Sequence, residues 1–183
     1  SALRSDARRD IVIAGSFGIV HLWLMPRITA LRGAADGASI NFLTSESYAD
    51  FDHADLDFSI RFGRVGGMGD RADLLFEEVT HLIASPEFVE ANPELAGASA
   101  ADHLQPDWLI EHGDPLGYGW MTIARWLERN QPYSSLQPTR PAVASYPAAL
   151  DMVRCGEGVT LGFAGLDDRY IETGEIMRIG PSD

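Results

Sequence analysis

Ser16 is the residue whose type and position most clearly suit chemistry. It lies in the turn Gly15–Gly18, between an apolar run at 11–14 and a segment at 19–32 with apolar residues at helical spacing. A serine where a strand ends and a helix begins offers a hydroxyl beside free backbone N–H groups, and small polar or anionic ligands bind such points. The alternative is that Ser16 only caps its own helix, and this stretch taken alone favours that alternative.

The elements around Ser16 alternate between strand and helix patterns. The helix at 19–32 contains Pro26, which predicts a kink or a restart there. Strands are predicted at 11–14, 39–44, 55–62, 74–84, 108–111, 141–144, 159–164 and 174–179. Helices are predicted after Ser45 through Phe51, from Ser85 with Pro86 in its first turn, at 120–129 and at 146–155. Such alternation predicts an α/β fold with mostly parallel sheets.

Composition limits the function classes. The 183 residues carry a formal net charge of −13, so the chain is not expected to grip nucleic acid by itself. Cys155 is the single cysteine, so no internal disulfide can form and a reducing compartment fits best. It is expected to pack on the inner face of its helix. No apolar run reaches about eighteen residues, so no membrane span is predicted.

The residues give little support for catalysis or metal binding. The five histidines have no ligand spacing, so neither a metal site nor a cofactor is predicted. Nucleophile-elbow and phosphate-loop patterns are absent from the sequence, and an enzyme is the least favoured class. Arg61 is expected to pair with Asp57 or with a loop carboxylate.

Four segments in this order resemble the effector-binding domain of LysR-type transcriptional regulators. The resemblance covers roughly residues 10 to 180, and it depends on the set and its order rather than on any one piece. The segments are Trp23-Leu24-Met25-Pro26-Arg27, 55–63 (Asp-Leu-Asp-Phe-Ser-Ile-Arg-Phe-Gly), Ala84-Ser85-Pro86-Glu87-Phe88 and 148–162, which ends in Gly156-Glu157-Gly158-Val159-Thr160-Leu161-Gly162.

The resemblance implies a fold like the type 2 periplasmic binding proteins, with two α/β subdomains joined by two crossover strands. Subdomain I would comprise 1–82 plus 163–183, and subdomain II would comprise 83–162. The family's winged helix-turn-helix, which precedes this domain, is absent from this chain, so DNA would be bound only through that missing N-terminal domain.

The implied function is the sensing of a small anionic or zwitterionic metabolite in the cleft between the subdomains. The partners would be this effector and further copies of the chain in a dimer or tetramer, in the cytoplasm and away from membranes. A solute-binding protein of a transporter is the alternative. The ligand contacts implied by the resemblance are Ser16, Phe17, Thr44, Ser45, Phe62, Gly63, Ser145, Tyr146 and Phe163.

Aromatic residues suggest a second idea about the ligand. A cage of aromatic faces suits a quaternary ammonium group, whereas packing in the core is the commoner role of such residues. The residues considered for the cage are Phe17, Trp23, Tyr118, Trp120, Tyr146 and Phe163.

Overall fold

The computed structural model describes residues 10–52, 55–63, 72–131 and 134–180. The chain divides into two compact units, Ser1–Arg61 and Phe62–Asp183, which are described in turn. The subdomain boundaries expected at 82/83 and 162/163 stay a prediction.

The first unit is built on a parallel three-stranded sheet of order β2-β1-β3. Its central strand is apolar on both faces, as expected for a strand with neighbours on each side, and Ile13 and Ala14 are buried. Ile13 lies opposite Phe42 of one neighbour and Phe58 of the other. The strands are β1 (Ile11–Gly15), β2 (Ile40–Thr44) and β3 (Phe58–Ser59).

The helical segment after β1 changes type where the sequence predicts a break. Ile19–Leu24 is π-helical, Met25–Arg27 is a 3-10 turn and α1 runs from Ile28–Ala34. Pro26 has no N–H to donate to the preceding turn, so the predicted restart is confirmed. The buried side chains of the first part, Val20 and Leu24, pack with Ile13 into the core of this unit.

Two predictions for the first unit need correction. The strand expected at 55–62 is only the two residues of β3, because its flanks pair with β1 through single backbone bonds from Asp57 N–H and Ile60 N–H. The short helix after Ser45 is α2 (Ala49–Asp52). It starts four residues after Ser45, so this serine does not cap it.

The second unit contains an antiparallel sheet of order β5-β4-β6. The segments expected to form the two crossovers pair with each other, with Leu82 opposite Leu161 and Thr80 opposite Phe163. The expectation of mostly parallel sheets is therefore wrong here, because these two passes run in opposite directions. Isolated parallel bridges join Leu109 to Val159 and His112 to Val143 where longer strands were expected. The strands are β4 (Thr80–Ala84), β5 (Thr160–Phe163) and β6 (Met177–Ile179).

The core of the second unit combines residues of β4, β5 and β6 with residues of the helices and loops around them. Ser85 caps the first helix by accepting a hydrogen bond from Phe88 N–H at 3.2 Å, as predicted. The α-helices are α3 (Pro86–Ala91), α4 (Ile123–Asn130), α5 (Tyr146–Arg154) and α6 (Asp168–Glu172), with 3-10 turns at Pro93–Ala96 and Ala100–His103. The buried core is Leu82, Ala84, Val89, Leu95, Ala100, Leu104, Leu109, Ile123, Leu127, Val159, Leu161 and Ile179.

Two further expectations differ from the structure. The strand predicted at 74–84 is a strand only from Thr80 onward, and residues 72–79 are exposed and outside any ladder, although Val79 O accepts a hydrogen bond from Ala164 N–H. Cys155 is exposed rather than packed, because α5 ends at Arg154 and Cys155 already belongs to the turn that leaves the helix.

Gly158 lies so close to the backbone of Trp108 that no side chain fits at this position. Its φ is +150°, and a Cβ built there would overlap the carbonyl oxygen of Trp108 and lie 3.0 Å from its carbonyl carbon. Gly158→Ala is therefore expected to lower the free energy of unfolding by about 1–3 kcal/mol, measured by urea denaturation.

Gly33→Ala is the matched control. Gly33 lies in α1 with no atom near its would-be Cβ, so this change is expected to raise the free energy of unfolding by about 0.5–1 kcal/mol. Equal stabilities of the two variants would contradict the close approach of Gly158 to Trp108.

Candidate functional site

The structure places the nine predicted ligand contacts in two sets, one in each unit. The first set is Ser16, Phe17, Thr44 and Ser45, at the carboxyl ends of β1 and β2. The second is Phe62, Gly63, Ser145, Tyr146 and Phe163. Their role as ligand contacts stays a prediction.

In the first unit, the adjacent ends of β1 and β2 bring the predicted residues together. Gly15 pairs with Thr44, and Ser45 N–H donates to Gly15 O at 3.3 Å. Ser16 Oγ accepts a hydrogen bond from Ile19 N–H at 3.3 Å, which is the capping role that the sequence favoured.

Carboxylates already occupy two of the donors at these strand ends. Phe17 N–H donates to Glu46 Oε1 at 3.0 Å, and the Ser45 hydroxyl donates to Asp50 Oδ2. A nearby negative charge disfavours a second anion. This edge of the first unit is therefore less suited to a plain anion than its hydroxyls alone suggest.

Arg61 does not relieve that charge. Its guanidinium pairs with Asp52 at 3.1 Å, which is a different carboxylate from Asp57, the first partner predicted. Asp57 Oδ2 instead accepts a hydrogen bond from Val12 N–H at 3.0 Å, because Asp57 lies beside β1 just before β3.

In the second unit, the predicted contacts belong to a connected group of rings. Tyr146 meets Phe163 edge-to-face at 4.8 Å and His112 at 5.9 Å, and the His112 ring stacks on Trp120 at 5.6 Å. Trp120 in turn contacts Phe62 at 6.4 Å and Tyr118 at 5.8 Å. We call Phe62, His112, Tyr118, Trp120, Tyr146 and Phe163 the ring group.

Four of the six aromatic residues considered for a cage lie in this group. The other two, Phe17 and Trp23, lie in the first unit. There Phe17 stacks on His21 at 5.6 Å, and Arg27 lies over the Trp23 ring at 4.6 Å. His112 joins the group although the sequence offered no sign of it beyond its place near a predicted strand.

The hydroxyl of Tyr146 is fully used inside the protein. It donates to Asp167 Oδ2 at 3.2 Å and accepts from Phe163 N–H at 3.3 Å. Burial and the charge of Asp167 raise the pKa of Tyr146 well above its ordinary value. Tyr146 is itself buried, and its hydroxyl is therefore not free to bind a ligand.

Asp167 is the buried centre of this arrangement, and sequence reasoning missed it. Its side chain has no exposure, and His81 Nε2 lies 3.2 Å from the same Oδ2 in an orientation that makes no hydrogen bond. Gly162 permits this approach, because a Cβ there would overlap Asp167 Oδ2 and lie 2.6 Å from His81 Nε2. Two sequence features could have pointed to this pair. His81 lies inside one apolar strand pattern, and Asp167 follows a second apolar strand pattern much later in the chain.

Several polar atoms near the ring group have no hydrogen-bond partner among the described residues. They include His112 Nδ1 and Trp120 Nε1, both buried. Burial lowers the pKa of His112 to about 4, with the charge of Asp114 opposing that shift. His112 is therefore neutral at physiological pH and supplies no positive charge for a ligand.

Ser145 stands at the start of α5 with its hydroxyl available. The backbone there is extended, and the serine makes no side-chain capping bond. Its neighbours in the helix are Tyr146 and Pro147, and Pro147 lacks an N–H. Ser145 therefore brings a hydroxyl without a capping bond to the position directly before Tyr146.

Other site types find no support in the part of the chain that the structure describes. It contains no group of three or more histidine, cysteine or acidic side chains placed to hold a metal ion. Within the same ranges, no helix combines the length and apolar character needed to span a membrane.

Comparison with known proteins decides the family. The model of the LysR substrate binding domain matches residues 4–182. The chain belongs to this family. The LysR resemblance read from the sequence is thereby confirmed, as is the predicted α/β fold of the type 2 periplasmic-binding-protein kind.

Among curated proteins, two transcriptional activators are similar to this LysR domain. The activator AmpR of Pseudomonas aeruginosa is 26% identical over 172 residues, covering 93% of this chain and 54% of that protein. The carbapenem-hydrolyzing β-lactamase transcriptional activator of Enterobacter cloacae is 35% identical over 77 residues, covering 42% of this chain and 25% of that protein. The chain thus spans about half the length of AmpR.

Solved structures share the fold. CrgA, a LysR-type regulator from Neisseria meningitidis, matches with a TM-score of 0.74 and 19% identity, covering 96% of this chain and 58% of that one. The effector domain of AmpR of Pseudomonas aeruginosa matches with a TM-score of 0.66 and 22% identity, covering 93% and 77%.

Removing the Tyr146 hydroxyl tests the buried contact with Asp167. Tyr146→Phe takes away a donor to Asp167 and the acceptor of Phe163 N–H, so the free energy of unfolding is expected to fall by about 1–3 kcal/mol. The matched change Ser145→Ala removes a hydroxyl with no capping bond and is expected to alter it by less than about 0.5 kcal/mol. Equal effects of both changes in urea titrations would contradict the network.

The neutral state of His112 predicts a pH dependence of stability. Between its ordinary pKa of 6.5 and the folded value of about 4, the unfolded chain binds a proton that the folded chain does not. Stability should therefore fall as pH is lowered through this window, by about 3 kcal/mol in full.

His112→Phe keeps a ring against Trp120 and should flatten that part of the profile. Urea midpoints measured from pH 7 to pH 4 give the comparison. The same slope in both proteins would show that another group carries the effect.

Proposed function

We propose that this chain is the effector-sensing domain of a LysR-type transcriptional regulator and that it binds a small metabolite. The observation that carries the proposal is the family match over nearly the whole chain. The naming of both curated relatives as transcriptional activators supports the regulatory role.

The geometry of the second unit supports a ligand surface at the start of α5. There Ser145, whose hydroxyl makes no capping bond, directly precedes Tyr146, whose ring belongs to a connected aromatic group with Phe163. Such a surface combines apolar area with a few polar groups, as small-molecule sites do. Phe62, Gly63 and the first-unit residues Ser16, Phe17, Thr44 and Ser45 are the further contacts that we propose.

A zwitterionic effector is favoured over a plain anion. At the ends of β1 and β2, Glu46 and Asp50 already accept hydrogen bonds from Phe17 N–H and the Ser45 hydroxyl. A ligand that also carries positive charge avoids repulsion by these two carboxylates.

The wider regulatory role follows from the family and from the charge. With a net charge of −13, this domain is suited to sensing rather than to gripping DNA. We propose that DNA is bound through a winged helix-turn-helix domain of the parent protein, which acts in the cytoplasm as a dimer or tetramer. Effector binding would then shift the balance between two arrangements of that assembly.

A thermal-shift screen of metabolites against the 183-residue chain tests the proposal. A ligand of the folded state is expected to raise the Tm, since a single site at a hundred times its Kd adds about 3 kcal/mol of stability. Ser145→Ala is expected to weaken binding of that ligand about fivefold to thirtyfold, through the loss of one hydrogen bond.

Ser99→Ala is the matched control for this experiment. Ser99 is an exposed serine of the same unit that also precedes a helical turn without a side-chain capping bond. Equal affinity of one ligand for the unsubstituted chain, the Ser145→Ala variant and the Phe163→Leu variant would rule out the proposed surface.

A further inference from the structure

A cavity of about 420 Å³ lies in the second unit, and none of the nine predicted ligand contacts lines it. It is bounded by the start of α4 and by residues on either side of the His112–Val143 bridge. The charged and polar side chains around it are Glu111, Asp114, Thr122, Arg125 and Arg140. Small-molecule sites have volumes of about 300–1,000 Å³, so this cavity is large enough for a ligand of amino-acid size.

Two guanidinium groups of this cavity are held in place through one nitrogen each. Arg125 Nη1 donates to Asp114 Oδ2 at 2.9 Å and to Trp120 O at 2.8 Å. Arg140 Nη1 donates to Glu157 O at 2.9 Å, and the same nitrogen lies 3.7 Å from the Glu157 carboxylate oxygen Oε2. A guanidinium has five N–H donors, so each arginine keeps further donors for a ligand.

The carboxylate that faces Arg125 is already satisfied. Asp114 accepts hydrogen bonds from Tyr118 N–H and Gly119 N–H, at 2.9 Å and 2.8 Å, as well as from Arg125. Burial acts to raise the pKa of Asp114, but these bonds outweigh it and the pKa is lowered. Asp114 therefore holds Arg125 in position and does not need a second positively charged partner.

Glu111 differs from Asp114 in that one of its carboxylate oxygens has no hydrogen-bond partner among the described residues. Its Oε2 accepts a hydrogen bond from Ala124 N–H at 3.1 Å, whereas its Oε1 is buried without a partner among the described residues. Burial raises the pKa of Glu111, and the bonds from Ala124 and Ile123 and the charge of Arg125 only partly oppose it. A nearby positive group would stabilise the charged form of this side chain.

We infer that this cavity is a second binding site, for a small zwitterion of the α-amino-acid type. Arg140, assisted by Arg125, holds the carboxylate of the ligand, and Glu111 holds its ammonium group. A plain anion would leave Oε1 of Glu111, which has no partner among the described residues, still unpaired. A plain cation would leave the remaining donors of Arg140 unused. This inference stands independently of the site proposed around Ser145.

Amide chemical shifts of the 183-residue chain, titrated with glycine, L-alanine, L-valine and L-methionine, test the inference. At least one amino acid at about 10 mM or below is expected to shift the signals of Gly113, Ala124 and Ala142. Its amide, which lacks the carboxylate, and its N-acetyl form, which lacks the ammonium, are each expected to bind at least about tenfold more weakly.

Substitutions assign the two ends of the ligand. Glu111→Gln keeps an oxygen for Ala124 N–H but removes the charge, and Arg140→Gln removes the guanidinium; each is expected to weaken binding about tenfold. The affinity of the unsubstituted chain for the amino acid should fall as pH is lowered toward the raised pKa of Glu111. Glu111→Gln should remove that pH dependence. Arg129→Gln, an exposed charge of α4 outside the cavity, is the matched control and should bind normally.

Three results would overturn the inference. The first is the absence of any shift with all four amino acids. The second is equal binding of the amide or N-acetyl form. The third is a set of shifts that centres on Ser145 and Phe163 and disappears in Ser145→Ala, which would place the ligand in the site of the proposed function instead. Unchanged binding in Ser145→Ala, with loss in Glu111→Gln, is the supporting pattern.

Discussion

The buried carboxylate of Asp167 is the constraint on which the second unit depends. A charge removed from water is very costly unless it is paired and hydrogen-bonded. Here Tyr146 donates to it and His81 lies beside it. These partners come from the start of α5 and from β4, and Asp167 itself follows β5. One carboxylate is therefore hydrogen-bonded to the start of α5 and lies against His81 of β4, although these elements are distant in the chain.

The contact with Asp167 also gives the two neighbouring residues at the start of α5 different roles. The hydroxyl of Tyr146 bonds to Asp167 and to Phe163 N–H, so the buried ring is held in a fixed orientation against Phe163. Ser145, one residue earlier, has no such commitment. Rigid aromatic area next to an uncommitted hydroxyl is a sound basis for recognition, because little side-chain entropy is lost when a ligand binds.

Features set by neighbours in sequence could be predicted, and features set by distant partners could not. The turn at Ser16, the restart at Pro26 and the Ser85 cap follow from local chemistry. The shortness of β3 and the exposure of residues 72–79, which lie outside any ladder, depend on which residues lie alongside them, and alternation alone does not reveal that.

The candidate site shows the same limit. Phe163 and Tyr146 could be named together because the family resemblance joins them. The approach of His81 to Asp167 requires the antiparallel register of β4 and β5 and the missing side chain of Gly162. The cavity around Glu111 likewise combines a loop, a helix start and a bridge region that are separated in sequence, and no short motif marks it.

The exposed thiol just beyond α5 has a practical consequence. Cys155 is the single cysteine of the chain, so a maleimide fluorophore or spin label would attach at one defined point without any prior mutagenesis. That point follows the helix whose first residue is Tyr146. A reporter on Cys155 would lie at the C-terminal end of α5, whereas the proposed ligand surface lies at the N-terminal end of the same helix. Its signal could therefore follow ligand binding in solution.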